Sequence, residues 1–388
     1  MLFVKASELK VGMRLARPIY NKNGVLLYER NSKLTTQGIT SINNFGLIGI
    51  FILEPAEPVP PMTKDDIEFE RFQTMTVFAI QDELNSISQN SKAPKTQIIL
   101  GNIIKNYGHL NRKINLIQSL RSKEDYVFKH TLNVAIMCAL MTHVLNMKVE
   151  DQLEVMIAAL SHDVGKLNLE KDVLDEAEIS DKAKNAMRAA EIKGYDVIDN
   201  VFSSYSGVKR MCIQAMKMQV QAEKNEEGDS AQGKVVRGAK VLAIANVYDE
   251  MTAMKFGAEP KSEVAAIRYL LEHKDIFGEE EVQALIGSIN ILAPGTSVEL
   301  NSGEKGLVLT SNEYDILRPM VLTFSSNSII DLSNSVYSDM HIVDIMKTLD
   351  NRYIMDTSLL KKSGIQVEEP EYVEVPGDDD IVETPIFI

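Results

Sequence analysis

The strongest constraint on the fold is the helical hydrophobic pattern that fills residues 125–292. Apolar side chains recur there at spacings of three and four residues, which places them on one face of successive α-helices. A helix with a broad apolar face is stable in water only when another element covers that face. The pattern therefore predicts a bundle of five or more helices as the main body of the chain. Two of the predicted faces contain Val134, Met137, Cys138 and Met141, and Leu153, Ile157, Leu160 and Val164.

Shorter β patterns flank the helical region. Near the N-terminus, the turn-forming sequence Asn21-Lys-Asn-Gly24 separates two apolar runs, and residues 35–45 are typical of a short helix. After Pro294-Gly295, three strand-like runs surround a hairpin signal at residues 302–306. The predicted fold class is therefore mainly α, a helical bundle with a small N-terminal α+β module and a small C-terminal β appendage. The three runs are residues 298–300, 307–310 and 320–324.

Composition shifts divide the chain into six segments. A proline cluster at residues 55–61 favours extended backbone and marks a linker. Thr63 and the acidic residues after it predict a helix start, and Pro94 is expected to open a second helix that runs to Leu120. The tail contains three prolines and no basic residue, which predicts disorder. The predicted segments are an α+β module (1–53), a linker (54–62), a helical connector (63–120), the bundle with its β appendage from about residue 294 (121–325), a mixed extension (326–362) and an acidic tail (363–388).

Charge and cysteine content exclude some classes of protein. The formal net charge is −14, whereas a general DNA- or RNA-binding protein needs a basic surface to neutralise phosphates. Eight acidic side chains lie in the tail, so the rest of the chain carries a net charge of only −6. Cys138 and Cys212 lie in apolar helical sequence and predict buried thiols in a reducing compartment. Because no apolar run is long enough to span a bilayer and no signal-peptide layout is found, we expect a cytoplasmic protein without a membrane partner.

One group of residues concentrates the side chains that carry chemistry, namely His130 and the sequence His162-Asp163-Val-Gly-Lys166. Imidazole nitrogens and carboxylate oxygens together bind borderline or hard divalent metal ions. Gly165 is expected to break the helix just after the His-Asp doublet, which lets two adjacent side chains converge on one ion. Lys166 is then expected to project near a bound phosphate.

The residues alone leave a simpler alternative open. A histidine next to an aspartate at a helix end is often a surface pair or a helix-capping pair that binds no metal, and His162 and Asp163 fit this description. Asp249 is expected to make a structural hydrogen bond within its own helix region, with metal binding as its alternative. The other histidines have no ligand-type neighbours and are expected to be exposed or singly hydrogen-bonded; they are His109, His143, His273 and His341.

Five landmarks occur in order along the chain. They are Tyr126-Val-Phe-Lys-His130-Thr-Leu-Asn-Val-Ala-Ile136, Ala158-Ala-Leu-Ser-His162-Asp163-Val-Gly-Lys166, Gly194-Tyr195, Ala243-Ile-Ala-Asn246-Val-Tyr-Asp249-Glu-Met-Thr252, and Pro294-Gly-Thr296-Ser-Val-Glu-Leu-Asn-Ser-Gly303-Glu-Lys-Gly306 with Arg318-Pro319. In these segments the chain resembles the HD-GYP domain, the bacterial branch of the HD metal-dependent phosphohydrolases, and the resemblance covers most of residues 1–325. It implies a helical bundle of the HD type that holds two or three metal ions, often iron or manganese. It also implies hydrolysis of the bacterial second messenger cyclic di-GMP by a metal-activated hydroxide.

The chain departs from this family at most of the expected metal ligands. The signature loop, expected between about residues 221 and 236, contains neither tyrosine nor proline. His130, His162 and Asp163 remain, which allows at most one three-ligand site with a single negative charge. A second ion nearby would meet strong repulsion without bridging carboxylates. The positions of the other expected ligands hold Tyr126, Ala190, Lys217, Met218, Gln219 and Asn246, of which Asn246 offers a neutral carbonyl oxygen.

The resemblance and the departures together predict a catalytically degenerate HD-GYP-like protein of cyclic di-GMP signalling, which acts as a binding or interaction module. The alternatives are a weak phosphodiesterase that uses one metal ion and a structural interaction protein that binds no nucleotide. One divalent ion such as iron or manganese is expected at His130, His162 and Asp163, and the absence of any metal is equally consistent with the sequence. Asp163 and Lys166 are the candidate catalytic residues. Lys255 is the candidate substrate-binding residue, because the family usually has an arginine at its position; an exposed surface lysine without such a role is the alternative. The expected partners are cyclic di-GMP and other proteins. Residues 63–120 are a candidate for homodimer formation, with packing against the bundle as the alternative.

Overall fold

The computed structural model divides the chain into two compact units by internal contacts, residues 1–75 with 292–388 and residues 76–291. The segment boundaries predicted from the sequence are not tested by this division and stay predictions. The described residues are 2–45, 47, 49–54, 59, 62–89, 92–118, 121, 125–169, 181–224, 235–254, 260–312, 314–346 and 371–374.

The N-terminal part of the first unit is a small α+β module, as the sequence predicts. Its strands form an antiparallel sheet in the order β1-β5-β2 and a separate β3-β4 pair. Gly24 has a φ of 73° and its amide donates to the carbonyl of Asn21, which closes the predicted turn between β3 and β4. Thr35 caps the predicted helix by accepting a hydrogen bond from the amide of Gly38 at 3.0 Å. The elements are β1 Leu2–Lys5, β2 Arg14–Leu15, β3 Ile19–Tyr20, β4 Leu26–Tyr28, α1 Thr36–Asn44 and β5 Gly49–Leu53.

The C-terminal part of the same unit is a five-stranded antiparallel sheet in the order β10-β6-β7-β8-β9. Its first three strands fall where the sequence predicts them, and Gly303, with a φ of 79°, lies in the predicted hairpin. The strands are β6 Ser297–Leu300, β7 Lys305–Thr310, β8 Met320–Thr323, β9 Ile329–Asp331 and β10 Ile342–Ile345. Residues 347–362 of the predicted extension and most of the predicted tail lie outside the described residues.

Two helices precede the bundle, α2 Lys64–Ser88 and α3 Thr96–Tyr107. At the start of α2, Thr63 accepts a hydrogen bond from the amide of Asp66 at 3.2 Å, and Asp66 accepts one from the amide of Thr63 at 2.9 Å. This reciprocal cap confirms the predicted helix start.

The predicted continuation of α3 to Leu120 is wrong. The helix ends at Tyr107, where the amide of Gly108 donates to the carbonyl of Ile104. Beyond it, Ile114 pairs through its backbone with Ser288 and Asn290, so this extended backbone satisfies its hydrogen bonds across the unit instead of within a helix.

The second unit is the predicted bundle. Helix α4 lies at its centre and packs against α3, α5, α8 and α11, with almost every residue from Val127 to Thr142 buried. Its length and composition would also allow it to cross a membrane, but 83% of its most apolar window is buried inside the protein, which identifies it as a core helix. Cys138 and Cys212 are buried free thiols, as predicted. The helices are α4 Tyr126–Val144, α5 Val149–Ser161, α6 Asp181–Val201, α7 Gly207–Glu223, α8 Arg237–Thr252, α9 Glu263–Glu272, α10 Lys274–Phe277 and α11 Glu279–Ser288, with a 3₁₀ helix at Val164–Asn168.

Candidate metal centre

His130 lies in the first half of α4 and is fully buried. Its Nδ1 is 2.6 Å from Oδ2 of Asp249 on α8, so the carboxylate accepts the Nδ1 hydrogen. The Nε2 lone pair of His130 therefore points away from Asp249. The ring of Tyr126, one helical turn earlier, stacks on the imidazole at a centroid distance of 5.7 Å.

His162 and Asp163 lie where α5 ends. His162 is the first residue beyond the helix, and its Nδ1 is 3.0 Å from the carbonyl oxygen of Ala159, to which it donates. Its Nε2 lone pair is thereby directed toward His130. Asp163 leaves the helical path with φ −99° and ψ 7°, so its carboxylate turns to the same side. The helix end is where the sequence predicts it, and adjacent side chains converge there.

Gly165 has a different role from the predicted one. The helix already ends at Ser161, and Gly165 lies within the 3₁₀ helix that follows, outside the left-handed region of φ. A Cβ on Gly165 would lie 2.0 Å from the carbonyl oxygen of Ala190, and a Cβ on Gly194 would lie 2.7 Å from the amide nitrogen of Gly165. The two glycines therefore allow the backbone of the 3₁₀ helix to touch α6 directly.

Donor atoms of four side chains lie close together between α4, α5 and α8. His130 Nε2 and His162 Nε2 are 3.3 Å apart, and each lies 3.6 Å from an oxygen of Asp163. The side-chain oxygen of Asn246 is 3.3 Å from His162 Nε2. Because both Nδ1 atoms carry the ring hydrogens, the two Nε2 atoms present lone pairs to each other, to the oxygens of Asp163 and, for His162, to Asn246. This arrangement is repulsive unless a cation lies between them.

These distances suit a small divalent ion. Tetrahedral ligands at about 2.1 Å from a metal lie roughly 3.4 Å from each other, close to the spacings here. Within the described part of the chain, no other group of three His, Cys, Asp or Glu side chains has ligand atoms as close together as His130, His162 and Asp163. The residues present therefore fit one metal ion, with the side-chain oxygen of Asn246 as a fourth donor.

Lys166 lies directly beside this group. Its Nζ is 2.9 Å from Oδ2 of Asp163, 2.8 Å from Glu191 on α6 and 3.7 Å from Glu250 on α8. Burial alone would lower the pKa of the lysine, but the three carboxylates hold that pKa well above its usual value. Lys166 is therefore charged and neutralises the buried acids around it. Oδ1 of Asp163 is buried and accepts no hydrogen bond from the described residues.

Asp249 does not face the group of donor atoms. Its two oxygens accept hydrogen bonds from the two terminal nitrogens of Arg121, both at 2.6 Å, and both side chains are fully buried. Burial would raise the pKa of the Asp249 carboxyl, but Arg121 and the hydrogen bond from His130 hold that pKa well below its usual range. The alternative of Asp249 as a metal ligand is therefore wrong, and its partners extend beyond its own helix.

Gln118 and Asn133 complete the surroundings of this ion pair. The amide groups of both side chains donate to Oδ1 of Asp249, at 3.1 and 2.9 Å. Sequence reasoning missed Arg121 and Gln118, because they are 128 and 131 residues from Asp249 and form no local pattern with it.

The remaining predicted residues contribute less to the centre. Lys255 lies outside the described residues. Ala190 has no donor side chain and contributes only its backbone contact with Gly165. Met218 is buried, and Lys217 is exposed on α7.

Two of the other four histidines are exposed, as predicted, and the other two contact a neighbouring residue. His109 and His341 are exposed. His143 contacts Asn111 at 2.9 Å, and His273 donates to the carbonyl of Tyr269 at 2.9 Å. None of the four belongs to a metal-binding group of the described residues.

Comparison with known proteins agrees with the helical bundle. Residues 127–251 match the family profile of the HD domain. The chain is also 24% identical over 229 residues to the cyclic di-GMP phosphodiesterase PA4108 of Pseudomonas aeruginosa. That alignment covers 56% of this chain and 52% of the relative, so the chain spans about half the length of the curated relative it matches. No solved structure matches significantly.

Proposed function

We propose that this HD domain is a catalytically degenerate member of the HD-GYP branch, which binds one divalent metal ion and acts as a binding or interaction module in cyclic di-GMP signalling. The similarity to a cyclic di-GMP phosphodiesterase over 229 residues supports the choice of nucleotide. The make-up of the metal centre supports the loss of hydrolysis.

One observation carries the proposal: the donor atoms suffice for a single ion. Phosphodiester hydrolysis at two-metal sites depends on two ions that stabilise the attacking and the leaving oxygens. Asp163 is the one carboxylate in the group around His130 and His162. Of the other carboxylates nearby, Asp249 is paired with Arg121, and Glu191 and Glu250 lie against the ammonium of Lys166. A second divalent ion would therefore lack bridging ligands and would lie close to a buried positive charge.

The donor set also favours a class of metal. The ligands are two imidazole nitrogens, one carboxylate and one amide oxygen. This set suits borderline first-row ions, which include Fe²⁺, Mn²⁺ and Zn²⁺, whereas Ca²⁺ prefers sites made only of oxygen ligands. Iron or manganese therefore remains the proposed ion. Its chemical contribution would be to attract phosphate oxygens.

Two lysines, Lys166 and Lys255, are the proposed contacts of the nucleotide. Lys166 is charged and lies beside the metal centre, so it can attract a phosphate group. A phosphate contact of Lys255 is proposed from the sequence alone. Other proteins, and a second copy of the chain through residues 63–120, are the proposed further partners. The buried free thiols Cys138 and Cys212 support a reducing, cytoplasmic location.

A weak single-ion phosphodiesterase is the second candidate, because Asp163 Oδ1 is buried and accepts no hydrogen bond among the described residues. A free carboxylate oxygen next to a cation site can accept a proton from water during hydrolysis. Both candidate functions predict binding of cyclic di-GMP, but only the phosphodiesterase predicts its hydrolysis.

Cyclic di-GMP is the probe that separates them. Isothermal titration of the metal-loaded protein should detect binding, while incubation with Mn²⁺ or, without oxygen, Fe²⁺ should yield no linear or mononucleotide product. Lys166→Met should weaken the binding, whereas Lys274→Met, which removes an exposed lysine paired with Glu279 at 3.1 Å, should not. Turnover that disappears in His162→Ala would establish the phosphodiesterase instead. If the protein shows neither binding nor turnover, the role as a nucleotide-binding module is refuted and the protein-interaction role remains.

A further inference from the structure

We infer that Asp249 and Arg121 form a positioning pair that holds His130 in the one tautomer that can bind a metal ion at this centre. The inference rests on the proposed metal site and adds two residues that are not metal ligands. Asp249 contacts the ligand His130, and Arg121 contacts Asp249.

Asp249 selects the tautomer by its position. With the hydrogen on Nδ1, His130 donates to the Asp249 carboxylate at 2.6 Å and directs the Nε2 lone pair to the point it shares with His162 and Asp163. In the other tautomer, the Nδ1 lone pair would face a carboxylate oxygen at that same short distance, and the Nε2 hydrogen would fill the ion position. The first tautomer is therefore favoured in the metal-free protein as well, and metal binding needs no proton to move within the ring.

Arg121 keeps Asp249 charged and in place. A buried carboxylate without a cation is unstable, whereas the two hydrogen bonds of 2.6 Å from the guanidinium both neutralise it and prevent its rotation. The amide of Arg121 also donates to the carbonyl of Met254 at 2.9 Å, just beyond the end of α8. Arg121 is thus tied by backbone and by side chain to the helix that carries Asp249.

A second buried carboxylate in the same unit, with partly exposed basic partners, separates positioning from general stability. Glu281, with 5% exposure, accepts a hydrogen bond from Arg237 at 2.9 Å and lies 3.7 Å from Lys240, and Arg237 and Lys240 are on α8 as Asp249 is. Among the hydrogen bonds and ion pairs of the described residues, none joins a histidine to Glu281. Glu281→Gln therefore makes the same change of charge and shape at a buried carboxylate as Asp249→Asn does, while leaving His130 untouched.

The first experiment measures Mn²⁺ affinity by titration of the full chain. Asp249→Asn should weaken Mn²⁺ binding by about 10- to 100-fold, the range typical for loss of a hydrogen-bond partner of a metal-bound histidine. Glu281→Gln should lower thermal stability and leave the affinity unchanged. Arg121→Lys keeps the positive charge but loses the bidentate contact, so it should weaken binding by less than Asp249→Asn does.

The second experiment reads the tautomer directly in metal-free protein, by ¹⁵N NMR of the histidine ring nitrogens. Wild-type His130 should show a protonated Nδ1 and an unprotonated Nε2, and Asp249→Asn should shift the ring toward the other tautomer. A wild-type ring protonated on Nε2 alone, or an Asp249→Asn variant with unchanged tautomer and affinity, would overturn the inference. If wild-type protein binds no Mn²⁺, the proposed metal site fails, yet the NMR result still decides the role of the pair.

Discussion

Gly165→Ala is a sharp test of how the centre is built. The added Cβ would lie 2.0 Å from the carbonyl oxygen of Ala190 and 3.0 Å from the amide nitrogen of Gly194. Ordinary carbon–oxygen contacts are about 3.3 Å or longer, so the 3₁₀ helix and α6 must separate by roughly 1 Å. Both obstacles are backbone atoms, which cannot move aside by a change of side-chain rotamer.

The expected cost follows from this geometry. Overpacking of a well-packed interior costs about 1–3 kcal/mol, and a clash between two backbone segments belongs at the upper end of that range. The displacement would also disturb the 2.8 Å contact between Lys166 and Glu191, which links the same two segments. We therefore expect a loss of about 3 kcal/mol in the free energy of unfolding, together with weaker metal binding.

Urea unfolding followed by circular dichroism measures this loss, and the chain offers matched controls. Gly101 and Gly287 lie in α3 and α11, and a Cβ at either position would meet nothing within 4 Å. Replacing either one by alanine should stabilise the protein by about 0.5–1 kcal/mol, because alanine favours the helix. A Gly165→Ala variant as stable as these controls, with unchanged metal affinity, would refute the close backbone contact.

Two further predictions concern the ion and its neighbours. Removing the metal with a chelator should lower the melting temperature by roughly 5–10 °C relative to protein in Mn²⁺ at 100 times its dissociation constant. The His162→Ala variant should lose this difference, and the exposed control His109→Ala should keep it. An equal response of the two variants would place the ion elsewhere. Lys166→Met should cost about 3–5 kcal/mol in urea unfolding, because Asp163 and Glu191 lose their buried cation. The exposed control Lys274→Met should cost less than about 1 kcal/mol, and a similarly small effect of Lys166→Met would contradict the buried charge cluster.

Much of the fold follows from local sequence signals. The turn at Asn21–Gly24, the cap at Thr63 and the hairpin at Gly303 are each written within a few residues, and all three lie where predicted. The bundle follows from apolar periodicity, since α4 is apolar on nearly all sides and belongs in a core. The end of α3 was missed because the backbone of Ile114 pairs with residues far along the chain.

The site shows the same division between local and distant information. His162 and Asp163 are adjacent in sequence, and their convergence with His130 could be expected from the motif around them. The direction of the imidazoles could not be predicted from the motif, because it depends on Asp249 and on the backbone carbonyl of Ala159. Arg121 carries no recognisable signal at all, since only the folded chain brings it to Asp249.

Counting the metal ions per chain tests the central claim most directly. Protein purified without metal, saturated with Mn²⁺ and dialysed should contain one ion per chain by elemental analysis, because His130, His162, Asp163 and Asn246 offer donors for one. The His162→Ala variant treated in parallel should contain essentially none. Two ions per chain in the wild-type protein, or none, would contradict a single metal centre built from these residues.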